Sequence, residues 1–215
     1  NGHSGAVITA EFSPDGRKIV TASADELALV WSPEGELLGV IKGHAGVVWM
    51  AEFSPDGRKI VTASDDETAR VWNAECESLI ELECESLAML EGHTARVQMA
   101  AFSPDGGNVV TVSNDGTARV WNEVGGQLAV LEGHTARVVA AMFNSNGSEI
   151  VTASADGTAR VWSPKIGGAA LAILEGHSIH VLTAAFSPNG SKVATASSDG
   201  TARVWSQEGE LLAEL

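Results

Sequence analysis

With 215 residues, the chain is long enough for a core that buries roughly 70% of the surface its unfolded form exposes. Its composition, 44% hydrophobic and 19% charged, excludes a disordered chain, and no apolar run approaches the ~20 residues that cross a bilayer as a helix. A formal net charge of −15 repels phosphate backbones and anionic membranes, so neither nucleic acid nor a lipid surface is an expected partner. Residue 1 is asparagine and no signal peptide follows it, so the expectation is a piece of a longer protein. The two cysteines, Cys76 and Cys84, are too few for a disulfide scaffold and point to a reducing, cytoplasmic setting.

Along the chain one unit is written five times. Histidine follows glycine at His3, His44, His93, His134 and His177, at intervals of 41, 49, 41 and 43 residues. Self-similarity at such a period signals a repeat architecture. Four residues after each histidine stands a valine (Val7, Val48, Val97, Val138, Val181), and nine after it a phenylalanine (Phe12, Phe53, Phe102, Phe143, Phe186). This first apolar segment is strand-length. A turn such as "SPDG" follows, in which proline presets φ and glycine accepts positive φ. Next come a β-branched run such as "KIVTAS", a second turn such as "ADGT", a third strand "TARVW", and a fourth such as "GQLAVL". Each unit is predicted to be four short antiparallel strands joined by tight turns.

The Gly-His pair, the "FSPDG" turn, the Ser-x-Asp pair and the closing tryptophan, five times in register, resemble a WD-repeat β-propeller of a highly repetitive, bacterial type. The resemblance covers the whole chain. It implies an all-β fold, a single propeller of five four-stranded antiparallel blades at about 1–42, 43–91, 92–132, 133–175 and 176–215. The family's aspartate after tryptophan is replaced by Ser32, Asn73, Asn122, Ser163 and Ser206.

Serine, histidine and aspartate at fixed spacing raise the question of a nucleophilic triad. The sets are His3, Ser23, Asp25 and Trp31; His44, Ser64, Asp66 and Trp72; His93, Ser113, Asp115 and Trp121; His134, Ser154, Asp156 and Trp162; His177, Ser197, Asp199 and Trp205. The serines end strands and have no nucleophile elbow beside them. The resemblance implies a structural chain instead: indole N–H to serine, serine to imidazole, imidazole to aspartate. No enzyme, cofactor or metal is expected; the sequence has no CxxC pair, no HExxH and no phosphate loop.

A blade has two apolar faces and is stable only between neighbours. The ends of the chain match in register, so a monomeric ring of five closed by side-chain packing is favoured, with a ten-bladed dimer as the alternative. One interval is longer because "ECESLIEL" (75–82) is followed at once by "ECESLAML" (83–90). The second copy is read as the true fourth strand and the first as an insertion carrying Leu79, Ile80 and Leu82: a solvated loop, a strand extension or a short helix capped by Asn73. On one straight strand its two thiols lie about 26 Å apart, beyond disulfide reach.

The family's partners often meet the face that carries the Gly-His loops and the Ser-x-Asp turns. There the frame is constant but some positions vary. Three residues after each histidine stand Ala6, Val47, Arg96, Arg137 and His180. Before each turn aspartate stand Ala24, Asp65, Asn114, Ala155 and Ser198. Trp49 is the one tryptophan outside the repeat set. The expectation is a scaffold that binds a protein or peptide segment through Ala6, Val47, Trp49, Asp65, Arg96, Asn114, Arg137, His180 and Ser198. The alternative is an architectural or sensory repeat domain of a larger signalling protein, with a hydrolase or lyase the weakest reading.

Overall fold

The computed structural model describes residues 2–76 and 82–215, which form five four-stranded antiparallel sheets, each ordered as in the sequence. Blade 1 holds β1 (Val7–Phe12), β2 (Ile19–Ser23), β3 (Ala28–Trp31) and β4 (Leu37–Ile41). Blade 2 holds β5 (Val48–Phe53), β6 (Lys59–Ser64), β7 (Ala69–Asn73) and β8 (Ser86–Leu90). Blade 3 holds β9 (Val97–Phe102), β10 (Asn108–Ser113), β11 (Ala118–Asn122) and β12 (Gln127–Leu131). Blade 4 holds β13 (Val138–Phe143), β14 (Ile150–Ser154), β15 (Thr158–Trp162) and β16 (Ala170–Glu175). Blade 5 holds β17 (Val181–Phe186), β18 (Lys192–Ser197), β19 (Ala202–Ser206) and β20 (Leu211–Glu214). The second copy of the duplication supplies β8, as the sequence predicts.

The turns form for local reasons. In "SPDG" at 54–57 the Ser54 hydroxyl donates to Asp56 at 2.6 Å and accepts the Lys59 amide at 2.9 Å. Gly57 sits at φ 71°, a conformation that costs a side-chain-bearing residue. The turn thus satisfies its own polar groups and fixes the register of the hairpin.

The core lies between blades. Each blade turns one face toward its predecessor and the other toward its successor. Between blades 1 and 2, Val20, Ala22, Ala28, Val30 and Ile41 meet Val48, Ala51, Phe53, Ile60 and Trp72. The same positions meet at the next three junctions. Every second residue of a strand serves one face, so a strand such as β6 is buried from Ile60 to Ser64.

The ring does not close at five. Among the described residues, no strand of blade 5 packs extensively on a strand of blade 1. Phe12 is 61% exposed, whereas Phe53 in the same position of blade 2 is 4% exposed. The four junctions leave the outer faces of blades 1 and 5 unpaired with each other, and no motif in the sequence signals that.

The cysteines depart from expectation too. Cys76 and Cys84 form a disulfide, with Cα atoms 4.3 Å apart. The straight-strand distance fails because the two cysteines do not lie on one straight strand: both sulfurs sit against Gly39 of β4. Leu82 has φ 49°, and Glu83 makes a parallel bridge to Val40 of β4. The Val40 amide donates to Leu82 O at 2.6 Å, and the Cys84 amide donates to Val40 O at 2.9 Å. Residues 82–84 of blade 2 therefore lie along the outer strand of blade 1. Gly39 faces the sulfurs so closely that a Cβ there would collide with both. Leu79 and Ile80 lie outside the described residues. Since disulfides persist in oxidising surroundings, this pair supplies no argument for a reducing compartment.

Candidate functional site

The five-fold polar set forms, with one correction. The hydroxyl between histidine and tryptophan belongs to threonine, not serine: Thr21, Thr62, Thr111, Thr152 and Thr195. Histidine Nε2 lies 2.7–2.8 Å from the threonine oxygen. Tryptophan Nε1 donates to the same oxygen at 2.8–2.9 Å. Histidine Nδ1 lies 2.7–3.0 Å from the turn aspartate. The register explains the choice. Trp162 pairs with Ile150, and Thr152 is two residues along on the same face. Ser154 is four residues along, about 13 Å away, beyond the reach of the indole.

The direction of the protons follows. Threonine has one proton, and its oxygen already accepts from tryptophan. The aspartate carboxylate can only accept, so histidine Nδ1 carries the proton; Nε2 of the neutral ring is then an acceptor, and the threonine hydroxyl donates to it. Every group in the chain is satisfied, which is what burial demands.

The serines cap the turns instead. Ser64, Ser113 and Ser154 are fully buried, and their hydroxyls donate to the carbonyls of Gly46, Ala95 and Ala136 at 3.1, 3.0 and 3.2 Å. Each accepts the amide of the following aspartate. None offers an exposed nucleophile.

The aspartates are held as anions. Burial raises the carboxyl of Asp156, but bonds from the Thr158 hydroxyl, the Thr135 amide and His134 outweigh it and bring it to about 2. Asp66, Asp115 and Asp199 are lowered in the same way. Burial pushes His93 and His134 below their ordinary 6.5, against the pull of Asp115 and Asp156.

Two carboxylates, Glu11 and Glu52, run the other way, both raised by burial. Glu11 on β1 and Glu52 on β5 hold the same position of their units, where the other three have Ala101, Met142 and Ala185. Burial and the nearby Glu11 push Glu52 from 4.5 up to about 7. The signs give a pH profile. The lowered aspartates and histidines contribute stability that is lost as pH falls, first below 6.5 and again below 3.8. The raised Glu52 loses its contribution as pH rises from 4.5 through about 7. Glu52→Gln is therefore expected to stabilise the chain by about 1–3 kcal/mol at pH 8 and by little at pH 4.5, which urea unfolding at the two pH values will check.

The frame presents the variable residues in pairs. The amide of the residue before each turn aspartate donates to the carbonyl of the residue three after histidine. The pairs are Ala24 to Ala6 at 2.9 Å, and Asp65 to Val47, Asn114 to Arg96, Ala155 to Arg137 and Ser198 to His180, all at 3.0 Å. Ten positions that the sequence only suggests as a surface thus form five bonded pairs along one rim.

Their side chains are not equally free. Arg96 makes an ion pair with Asp65, and its guanidinium lies 4.2 Å from the centre of the Trp49 ring. Trp49 Nε1 donates to Asp65 at 2.8 Å. These three join blade 2 to blade 3, so Trp49, Asp65 and Arg96 form a closed cluster and not three open contacts. Arg137 is exposed and has no ion pair among the described residues. His180 is exposed, and its Nδ1 lies 2.5 Å from Ala155 O of the preceding blade, which leaves Nε2 outward. Ala6, Asn114 and Ser198 are exposed, and Val47 is half-buried. A separate concavity between blades 3 and 4, lined by Asn108, Leu128, Phe143 and Lys165, opens at the other end of the strands.

Another group escapes a motif reading: Arg70, Arg119, Arg160 and Arg203 in the "TARVW" strands. Arg70 and Arg160 lie about 6 Å from the rings of Trp72 and Trp162. Arg203 pairs with Glu214 at 2.8 Å. Their guanidinium groups cover Gly43, Gly92, Gly133 and Gly176, the glycines before the last four repeat histidines, which take φ 145–152°. The repeated "TAR" is the signal that finds them.

Comparison with known proteins gives one result that covers the chain. The family model "WD domain, G-beta repeat" matches residues 1–32, 35–73, 84–122, 125–163 and 168–206. No curated protein matches significantly. Five consecutive matches, five four-stranded sheets and five bonded His–Thr–Trp–Asp sets agree, and the chain belongs to the WD40-repeat family.

Proposed function

We propose that this chain is a scaffold that holds a protein or peptide segment along the rim of Gly-His loops and Ser-x-Asp turns. WD40 repeats generally serve as protein-interaction modules and not as catalysts. The observation that supports the specific rim is the set of five bonded pairs, variable in side chain on a constant frame. Ala6 and Val47 give one sector an apolar character, while Arg137 and His180 give the other a positive one. The fitting segment places an aliphatic or aromatic anchor beside a carboxylate or phosphate. Arg137 takes the anion through its fork. The Trp49–Asp65–Arg96 cluster gives the rim between them a fixed shape.

A peptide-display selection against the chain tests this. The expected outcome is enrichment of acidic or phosphorylated segments with an adjacent apolar residue. Calorimetry of an enriched peptide should then show Arg137→Ala weakening binding by about 1–3 kcal/mol with unchanged circular dichroism. Enrichment of nothing, or affinity indifferent to Arg137, rejects the rim and favours an architectural role in a larger signalling protein.

A further inference from the structure

The outer strand of blade 1 is shaped to receive the cystine. Val30, Val71, Val120, Val161 and Val204 of the third strands pair with Gly39, Ala88, Ala129, Ala172 and Ala213 of the fourth. Four units have alanine at this position and one has glycine. The reason lies in what the successor blade lays against it. Blades 3 and 5 lay a glycine turn there: Gly125 lies against Ala88, and Gly209 against Ala172. Blade 2 lays the Cys76–Cys84 pair there, and its sulfurs leave no space for a Cβ on Gly39. Bulk is exchanged across one contact: a cystine meets a glycine where elsewhere a glycine meets an alanine. The cystine also extends the core of the first junction. Cys84 is 6% exposed and belongs to the cluster of Val30, Ile41 and Trp72, and Cys76 packs against that cluster beside Leu38.

The two sulfurs are not equally open. Cys84 is buried, whereas Cys76 is half-buried and lines a concavity with Lys18, Leu38, Ala74 and Glu75. We propose that this pair is a thiol–disulfide exchange site, entered at Cys76, whose reduction releases residues 82–84 from the edge of β4. An incoming thiolate bonds to Cys76 Sγ, the bond between the two cysteines breaks, and its electron pair leaves on Cys84 Sγ, which takes a proton from water. A second thiolate attacks the sulfur of the group now held on Cys76, and Cys76 leaves as a thiolate that is protonated in turn. Two external thiols are thereby oxidised to one disulfide, and the cystine is reduced to two cysteines. The Lys18 ammonium, held in place by its bond to Ala74 O at 2.8 Å, favours the arriving and departing thiolates. Glu75 on the same wall opposes an anionic carrier, so an uncharged thiol suits the entrance best. The bond lies within blade 2 and joins no two blades; it holds the shape that seats on blade 1. Once unbonded, the sulfurs need separate van der Waals space, and the contact with Gly39 offers none. The bonds given up are those from the Val40 amide to Leu82 O, at 2.6 Å, and from the Cys84 amide to Val40 O, at 2.9 Å.

Hydrogen exchange of the full chain, oxidised and then reduced with dithiothreitol, tests this. The expected result is exchange at least tenfold faster at the Val40 and Cys84 amides of the reduced chain, with the amides of β10 unmoved. Brief exposure to 2-mercaptoethanol with iodoacetamide present should leave the mercaptoethanol adduct on Cys76 and the alkyl group on Cys84, in at least tenfold excess over the reverse by mass spectrometry. Gly39→Ala puts a Cβ into the space of the sulfurs. The oxidised variant, folded by circular dichroism, should show the fast exchange without reductant and should be reduced at a dithiothreitol concentration at least tenfold lower. Cys76→Ser combined with Cys84→Ser adds no bulk to the strand; it should match the reduced chain and ignore the reductant. Equal exchange in the two redox states overturns the proposal, as does an adduct chiefly on Cys84 or a pair of free thiols in the air-oxidised chain.

Discussion

Phe53→Ala is expected to destabilise the chain by about 3–5 kcal/mol, the loss typical of a buried aromatic cut back to a methyl group. Phe53 is 4% exposed and fills the junction between blades 1 and 2 against Val20, Ala22 and Val30. Its removal leaves a void between two sheets whose backbones are pinned by their own ladders, so little collapse relieves it. Phe12→Ala removes the same atoms from the same position of the repeat. Phe12 is 61% exposed, and the expected loss in dilute solution is under about 1 kcal/mol. Urea denaturation of both variants at low concentration makes the comparison. Equal losses would mean that blade 1 is covered after all.

Thr152→Val is the second large effect, about 3 kcal/mol. Valine keeps the shape and removes the hydroxyl. The buried Trp162 N–H, now 2.8 Å from Thr152 Oγ1, loses its acceptor, and His134 Nε2 loses its donor. Each orphaned group costs about 1–3 kcal/mol. Ser154→Ala is expected to cost less, about 1 kcal/mol, because its carbonyl partners at 136 and 137 are not the centre of the chain of bonds. Thermal unfolding of both variants ranks them. A larger loss for Ser154→Ala would restore serine to the centre of the set.

That ranking shows what the residues disclose and what they do not. Period, turn chemistry and the Gly-His, Phe and Trp positions expose the blades and their order, because each of these acts within about 45 residues of sequence. The choice of threonine over serine was open to a stricter reading of strand alternation. Trp162 lies opposite Ile150, and Thr152 is its diagonal neighbour on that face. The "T-x-S" ending of every second strand conceals the choice by offering two hydroxyls. The engagement of Arg96 was not legible, since Asp65 is 31 residues away and becomes its neighbour only when blades 2 and 3 lie side by side. Closure depends on the angle between blades, which no motif encodes. The disulfide depends on Cys76 and Cys84 meeting against Gly39 of β4, which a straight-strand distance did not contain.

The insertion that carries this disulfide gives the array a direction. An open row of like units, each held mainly by its neighbours, comes apart from whichever terminus is held more weakly. At the amino-terminal side, Val40 of the outer strand is hydrogen-bonded both ways to a segment belonging to blade 2, and Lys18 Nζ adds a bond to Ala74 O at 2.8 Å. Blade 1 is thus latched along its rim as well as packed across its face. Blade 5 has one packed face, and the carboxyl-terminal Leu215 holds only to its own sheet through Ala202. Of the two outer blades described, blade 5 is the more weakly held, so unzipping of these five should start there and run toward the latch, with blade 1 as the anchor.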